Sequence, residues 1–272
     1  MIPIPRAIAR IPIVRGLFRV ALVGWVRLTR GRYWVERRMG LRLLLDYENV
    51  VDRQIFLTGS WEKDLLDRLF GLVEAQRRHH DGGLVFLDIG SHWGLYALLA
   101  RRTGLFERIV AFEPDPTNHA QLQANLFLNG AEADIEVLKL AASDREGSFG
   151  LFMRSHANRG ATRVARDGEP GQVTCRADRV DRHVDLEGKL LVVKMDVEGH
   201  ELEALEGMVG LLARNRCVLQ VEIWDMPDGE LQRREKILDA FFARFGMTCV
   251  GSSVNDHWYV SALPAATEGG KA

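Results

Sequence analysis

Cysteine is scarce in this chain, and the positions of the few cysteines exclude two kinds of stabilised scaffold. Among 272 residues only Cys175, Cys217 and Cys249 are cysteines, an odd number with wide spacing. Disulfide frameworks and zinc sites need cysteines in even or closely spaced sets. The sequence therefore predicts neither, and a reducing cytoplasmic setting is expected.

Long hydrophobic runs are also missing. The longest uncharged run near the N-terminus is VALVGWV, residues 20–26, whereas a membrane-spanning helix needs about 20 apolar residues. Arginines and three prolines (Pro3, Pro5 and Pro12) interrupt the same region. Neither a signal peptide nor a transmembrane helix is predicted there.

Acidic residues are nearly absent from the first 38 positions. Nine arginines against the single acid Glu36 give this segment a charge of +8, and the whole-chain charge of −1 leaves −9 for the remainder. On a helical wheel from Ile13, arginines gather on one face and apolar residues on the other. One interpretation is a basic amphipathic helix at the inner membrane surface. The other is a helix that packs on the protein itself or on a second subunit.

Strand-like and helix-like patterns alternate from residue 84 onward, which predicts a doubly wound α/β domain with a mostly parallel sheet. The strand-like segments are 84–90, 108–114, 135–143, 190–197, 218–224, 248–254 and 257–264. The helix-like segments lie near 94–102, 117–130, 201–214 and 229–245. The last two strand-like segments lack a helix between them, so we expect an antiparallel hairpin at one edge of the sheet.

The remaining sequence predicts the domain boundaries. Residues 41–80 have a helical pattern, with Ser60 as a candidate N-cap, and we expect them to cover the sheet. The expected organisation is a basic helical N-terminal extension and cap over 1–80, one domain over 81–265, and a disordered tail over 266–272.

The loop after the first of these strands lacks the glycine pattern of a dinucleotide site. In VFLDIGSHWGLYAL, Gly90 and Gly94 are four residues apart, but the middle glycine of G-x-G-x-x-G, which lets backbone meet a pyrophosphate, is missing. A nucleoside without phosphates is therefore favoured over NAD.

Glu113 ends the next strand, 25 residues after Asp88, near the spacing at which an acid meets ribose hydroxyls. Such a carboxylate can accept both protons of a cis-diol.

The segment VVKMDVEGHE places charge in a buried strand, where Lys194, Asp196 and Glu198 share one face. Unpaired buried charge is costly, so two interpretations arise. One is an ion pair of Lys194 with Asp196 or Glu222 that holds neighbouring strands. The other is a catalytic site, in which the negative charges of Asp196 and Glu198 suit a positively charged ligand. If the reaction removes a proton from a hydroxyl, Asp196 is the first choice and His200 the second choice as the base. No metal is predicted.

Five segments together resemble the FkbM family of S-adenosylmethionine-dependent methyltransferases. In chain order, between residues 84 and 224, they are FLDIGSHWGLYAL, IVAFEPDP, NLFLNG, LAASDREGSFGLF and VVKMDVEGHELEALEG. The resemblance implies a Rossmann-like class I methyltransferase fold with a seven-stranded sheet, and S-adenosylmethionine as the cofactor.

The resemblance also implies which residues contact the cofactor. They are Asp88, Gly90, Ser91, Gly94, Glu113, Pro114, Ala142 and Ser143. Asp88 and the two glycines would line the methionine part, Glu113 would bind the ribose, and Ala142 and Ser143 would flank the adenine.

The expected reaction is methyl transfer to a hydroxyl of a sugar, glycolipid or natural-product acceptor, without a nucleic-acid partner. Two alternatives stay open at this point. A nicotinamide-dependent oxidoreductase could use the same sheet, although the missing glycine and the absence of a Tyr-x-x-x-Lys pair disfavour it. A catalytically silent, membrane-docked binding module is the other alternative, and its cofactor site should be broken.

Overall fold

A computed structural model describes the chain at residues 24, 28–29, 31–153, 159–165, 169, 171–223 and 231–263. The basic helix expected from Ile13 lies almost entirely outside these residues, as does the tail expected at 266–272. Within the described parts, no helix is long and apolar enough to cross a membrane. The chain divides into two compact units, one reaching Trp61 and including Arg159 and Gly160, the other built from Glu62 onward.

The first unit contains a β-hairpin. Strand β1 (Tyr33–Arg38) pairs antiparallel with β2 (Leu41–Asp46). Met39 and Gly40 connect them with φ of 51° and 74°, and two positive φ values are typical of the tightest hairpin turns. The prediction of helix was therefore wrong over Leu41–Asp46. Three buried leucines reveal the strand period of two: Leu41, Leu43 and Leu45.

Two helices follow where the sequence predicted them. Helix α1 (Val50–Thr58) begins at Asn49, whose side chain accepts the N–H of Val51. Helix α2 (Lys63–Arg77) has Glu62 at its N-cap, so the prediction of Ser60 as the cap was wrong. Helix α2 belongs to the second unit, and that unit begins earlier in the chain than the predicted boundary at residue 80.

Eleven strands and five helices are described in the second unit beyond α2. The strands are β3 (Leu84–Ile89), β4 (Arg108–Phe112), β5 (Glu136–Leu138), β6 (Ala141–Ala142), β7 (Gly147–Met153), β8 (Thr162–Val164), β9 (Val173–Asp178), β10 (Leu190–Met195), β11 (Arg216–Glu222), β12 (Met247–Ser253) and β13 (Asp256–Ser261). The helices are α3 (Leu95–Thr103), α4 (Pro116–Asn129), α5 (Glu201–Glu206), α6 (Val209–Arg214) and α7 (Leu231–Ala243).

The main sheet has seven strands in the order β12-β13-β11-β10-β3-β4-β5. Pairs from β11 through β5 are parallel. Strand β13 runs antiparallel to both β11 and β12. The predicted seven-stranded, mostly parallel sheet and its antiparallel edge hairpin are thus confirmed. Strand order reverses between β3 and β10, and ligands of such sheets bind outside the carboxyl ends of the strands at this reversal.

A second sheet was missed by the sequence patterns. Its order is β6-β9-β7-β8, so the segment predicted as one strand over 135–143 divides between two sheets. The chain turns at Lys139, where the Leu140 N–H donates to the Leu138 carbonyl at 2.9 Å. The arginine- and glycine-rich segment that follows, which has no clear period, supplies the other three strands.

The predicted helix over 201–214 is broken at Gly207. A Cβ on this residue would lie 1.9 Å from the carbonyl oxygen of Ser143, a distance that no side chain can occupy. Glycine therefore lets the break between α5 and α6 approach the chain that follows β6. The predicted stop of α4 at Gly130 is confirmed, with φ of 57°.

Candidate functional site

The glycine loop meets the end of β10 backbone to backbone. Gly90 has φ of 79°, and a Cβ on it would lie 1.8 Å from the carbonyl oxygen of Asp196. The Asp196 N–H in turn donates to the carbonyl of Ile89 at 2.9 Å. Gly94, with φ of 88°, is the N-cap of α3. The structure therefore brings two separate sequence predictions, the glycine loop and the carboxylate strand end, into direct contact.

Asp88 and Ser91 are buried on either side of Gly90. The Asp88 carboxylate accepts the Ala97 N–H at 2.9 Å and so ties the end of β3 to the first turn of α3. Burial raises the pKa of Asp88 to about 7. The Ser91 hydroxyl oxygen is buried without a hydrogen-bond partner among the described residues. A buried polar atom of this kind points to a ligand in the loop, because buried polar groups are almost always hydrogen-bonded.

Glu113 closes the other side of the loop and is buried. Its Oε2 accepts the His92 N–H at 2.7 Å, and its Oε1 accepts the Asp115 N–H at 2.8 Å. The Asn118 side chain donates a third hydrogen bond to this carboxylate, so one of its four acceptor positions is left for a ribose hydroxyl. Burial raises the pKa of Glu113 to about 8. Pro114 is half-buried between these two acids.

The predicted adenine-flanking residues and the predicted second-choice base are neighbours. Ala142 and Ser143 are buried, and the Ser143 hydroxyl lies 3.0 Å from Nε2 of His200. The His200 ring also lies edge-on to Phe149, with centroids 6.2 Å apart. Burial lowers the pKa of His200, which favours the neutral imidazole. His200 is thus engaged with Ser143.

Lys194 and Asp196 lie in a group of charges at the ends of β10 and β11, in which Lys194 is buried and Asp196 is half-buried. Lys194 Nζ is 3.7 Å from Glu222 Oε2 and 3.5 Å from Asp256 Oδ1. The predicted Lys194–Glu222 ion pair is therefore confirmed as a contact. Burial and the charge of Glu198 raise the pKa of Asp196 to about 7, although Lys194 opposes the shift.

Glu198 has a backbone conformation that only glycine adopts without cost. Its φ is 54°, and the left-handed region costs a residue with a Cβ about 1–2 kcal/mol. Strain of this kind persists where the surroundings enforce it, commonly at functional sites. Glu201 holds the loop after β10, which contains Glu198, in this conformation. Its carboxylate accepts the Gly199 N–H at 2.6 Å and pairs with the guanidinium of Arg234 in α7 at 3.2 Å.

Sequence reasoning missed part of this group of charges. Three residues that connect it are Glu62, Tyr96 and Gln220. The Tyr96 hydroxyl donates to Glu62 at 2.8 Å, and the Gln220 amide lies 3.3 Å from the same hydroxyl. Glu62 and Tyr96 are far apart in sequence from Gln220, and no local pattern marks them.

Among the described residues, no set of three or more His, Cys, Asp or Glu is arranged to hold a metal ion.

The chain is similar to known methyltransferases. A family model described as "Methyltransferase FkbM domain" matches residues 85–246. AglP of Haloferax volcanii, described as a hexuronic acid methyltransferase, is 31% identical over 139 residues, which are 51% of this chain and 55% of AglP. The matched region thus spans about half the length of AglP.

Two further proteins are more distant in sequence. The methyltransferase sdnD of Sordaria araneosa is 27% identical over 187 residues, with 56% of this chain and 71% of sdnD covered. A crystal structure of an FkbM methyltransferase from Methylobacillus flagellatus KT aligns with 91% of this chain and 59% of its own, at 16% identity and a TM-score of 0.47.

Proposed function

Because the chain belongs to the FkbM methyltransferase family, we propose that it transfers a methyl group from S-adenosylmethionine to a hydroxyl oxygen of a sugar-type acceptor. When bound, S-adenosylmethionine supplies a methyl group on a positively charged sulfur. The observation that carries the choice of oxygen is the contact between Gly90 and Asp196. This backbone contact supports the choice because the residue beside the proposed cofactor loop carries a carboxyl group whose pKa is about 7, and such a group is well matched to remove a hydroxyl proton.

The residues around the glycine loop fit this cofactor. Glu113 offers a buried carboxylate for the ribose diol, and the unpartnered hydroxyl of Ser91 offers a polar contact in the same loop. Ala142 and Ser143 form a buried edge suited to the adenine. Gly90 keeps the loop backbone close to the end of β10, and Gly94 begins α3. The family assignment favours this site over one for a nicotinamide cofactor.

Asp196 is the proposed base, and Glu198 and His200 are the proposed alternatives. His200 is held at Ser143, 3.0 Å away, so we assign it to the adenine side of the site. The charge of Glu198 contributes to the raised pKa of Asp196. Glu198 therefore supports the basicity of Asp196 in this scheme.

The proposed acceptor is a hexuronic-acid-containing glycan, since AglP is described as a hexuronic acid methyltransferase. The test is incubation of the protein with methyl-labelled S-adenosylmethionine and paired glycans that differ only in hexuronic acid or neutral hexose. We expect label in the hexuronic acid glycan, stable to mild alkali, because an ether at a hydroxyl resists the base that cleaves a methyl ester. Alkali-labile label would mean that the carboxylate is the acceptor. If no glycan and no component of a cell extract becomes labelled, the result favours the catalytically silent binding module.

Binding of S-adenosylhomocysteine, the demethylated cofactor, should release a proton from Glu113. With a pKa of about 8, the carboxyl is largely protonated at pH 6, whereas a ribose diol needs the ionised form as acceptor. Affinity should therefore rise with pH from 6 to 8, by up to about tenfold per unit, and then level off. Isothermal titration at several pH values measures this. The Glu113→Gln variant should bind S-adenosylhomocysteine more weakly, and its affinity should not change with pH. If the affinity of the variant still rises with pH as in the wild type, the released proton comes from another group.

A further inference from the structure

Asp196 and Glu222 stand side by side at the carboxyl ends of adjacent strands. The parallel register pairs Met195 with Val221, so the next residue of each strand end is a carboxylate. Side chains at paired positions of parallel strands point to the same side of the sheet, so the two carboxyl groups are neighbours, and the contact with Glu222 lowers the pKa of Asp196. Since an ionised carboxylate has no proton to donate, a hydrogen bond between two carboxyl groups requires that one of them be protonated.

Glu222 is the more basic member of the pair. The negative charge of Asp196, followed by burial, raises the pKa of Glu222 to about 9, and that of Asp196 is about 7. Lys194 is a weak counter-ion for Glu222, because the two groups are 3.7 Å apart and Lys194 Nζ makes no hydrogen bond within the described chain.

Other charged groups face the pair from each neighbouring element. They are Lys194 and Glu198 from β10 and the loop after it, Asp256 from β13, Glu62 before α2, and Tyr96 of α3, which lies against Lys194. Acids outnumber the single lysine, so the ionisation of every carboxyl would leave a large negative charge in a buried region. Retention of a proton by one carboxyl relieves this repulsion.

We propose that Glu222 is a positioning residue, which keeps its proton at neutral pH and donates it in a hydrogen bond to Asp196. This inference rests on the proposed function. Asp196 Oδ1 has no hydrogen-bond partner among the residues described. In this arrangement Glu222 donates to the other carboxyl oxygen and leaves Oδ1 to receive the proton of the acceptor.

The proposed step balances in atoms and charge. The acceptor oxygen gains the methyl group, and the electrons of the broken carbon–sulfur bond remain on sulfur. The hydroxyl proton goes to Oδ1 of Asp196, which becomes neutral as the positive charge on sulfur disappears. Glu222 keeps its own proton throughout.

The test compares two replacements of Glu222. Glu222→Gln retains a donor to Asp196 but has no negative charge, while Glu222→Leu retains neither. We expect turnover within about threefold of wild type for glutamine and a loss of more than about tenfold for leucine. If Glu222 served as the counter-ion of Lys194, glutamine would be as damaging as leucine, and that result would overturn the proposal. Thermal unfolding of both variants verifies that they fold.

A second measurement does not depend on turnover. Carbon-13 labelling of the aspartate and glutamate carboxyls allows their titration to be followed by NMR in the unliganded protein. We expect Glu222 to titrate above pH 8, and to move down by at least about one unit in Asp196→Asn, because the neighbouring negative charge is removed. Asp256→Asn, the matched control, also removes a carboxylate that faces Glu222 but leaves the pair intact, and should cause a smaller shift.

The two measurements separate the possible failures. An ordinary acidic titration of Glu222, or equal shifts in the two aspartate variants, contradicts the proposed pair whether or not methyl transfer occurs. The expected titration in a protein that methylates no acceptor would leave the pair intact and contradict the proposed function instead.

Discussion

Gly90→Ala is expected to destabilise the second unit severely. The new Cβ would lie 1.8 Å from the Asp196 carbonyl oxygen, so β10 and the glycine loop would have to separate. A left-handed backbone already costs alanine about 1–2 kcal/mol, and the clash should bring the total loss in unfolding free energy above about 4 kcal/mol. Urea denaturation measures this loss. Any variant that still folds should show greatly weakened binding of S-adenosylhomocysteine by calorimetry.

Gly104→Ala is the matched control for the Gly90 prediction. Gly104 also has positive φ, 66°, but no atom lies within 4 Å of its Cβ position. Gly104 ends α3. Alanine at this position should lower the unfolding free energy only by the cost of its left-handed backbone, about 1–2 kcal/mol, and should not affect ligand binding. Similar losses in the two variants would mean that the contact between the loop and β10 is unimportant.

Asp196→Asn is expected to abolish most turnover while the cofactor still binds. The amide is nearly isosteric with the carboxylate but cannot accept the hydroxyl proton, and removal of a general base costs about 10²–10⁴ in rate. Single-turnover kinetics at saturating S-adenosylmethionine measure the loss. In the wild type, turnover should also fall as the pH drops below about 7, because protonation of Asp196 removes the base.

His200→Asn distinguishes the two candidate bases. Its hydrogen bond to Ser143 places it on the proposed adenine side, so the variant should weaken cofactor binding more than it lowers the maximal rate. A loss below tenfold for Asp196→Asn, combined with a larger loss for His200→Asn, would transfer the role of base to His200.

Local patterns predicted most of the main sheet because the segments on either side of its strands are easy to recognise. Buried apolar runs such as β3 and β10 are separated by clear helical segments, and α4 carries its own stop signal at Gly130. One error lies where a segment is shared between two sheets. Residues 135–143 look like one strand, yet a turn at Lys139 sends β5 and β6 to different sheets.

The FkbM family, the α/β alternation, the glycine loop and the candidate carboxylates were determined by the sequence alone, because each is recognised from short segments and their order in the chain. Tertiary structure alone decided that the backbone of Asp196 lies against Gly90, that His200 is engaged with Ser143, and that Glu222 is the neighbour of Asp196 on the adjacent strand. These contacts depend on strand order and register, which bring together residues from distant positions. Burial at those contacts then sets the pKa values, and burial is a property of the folded chain.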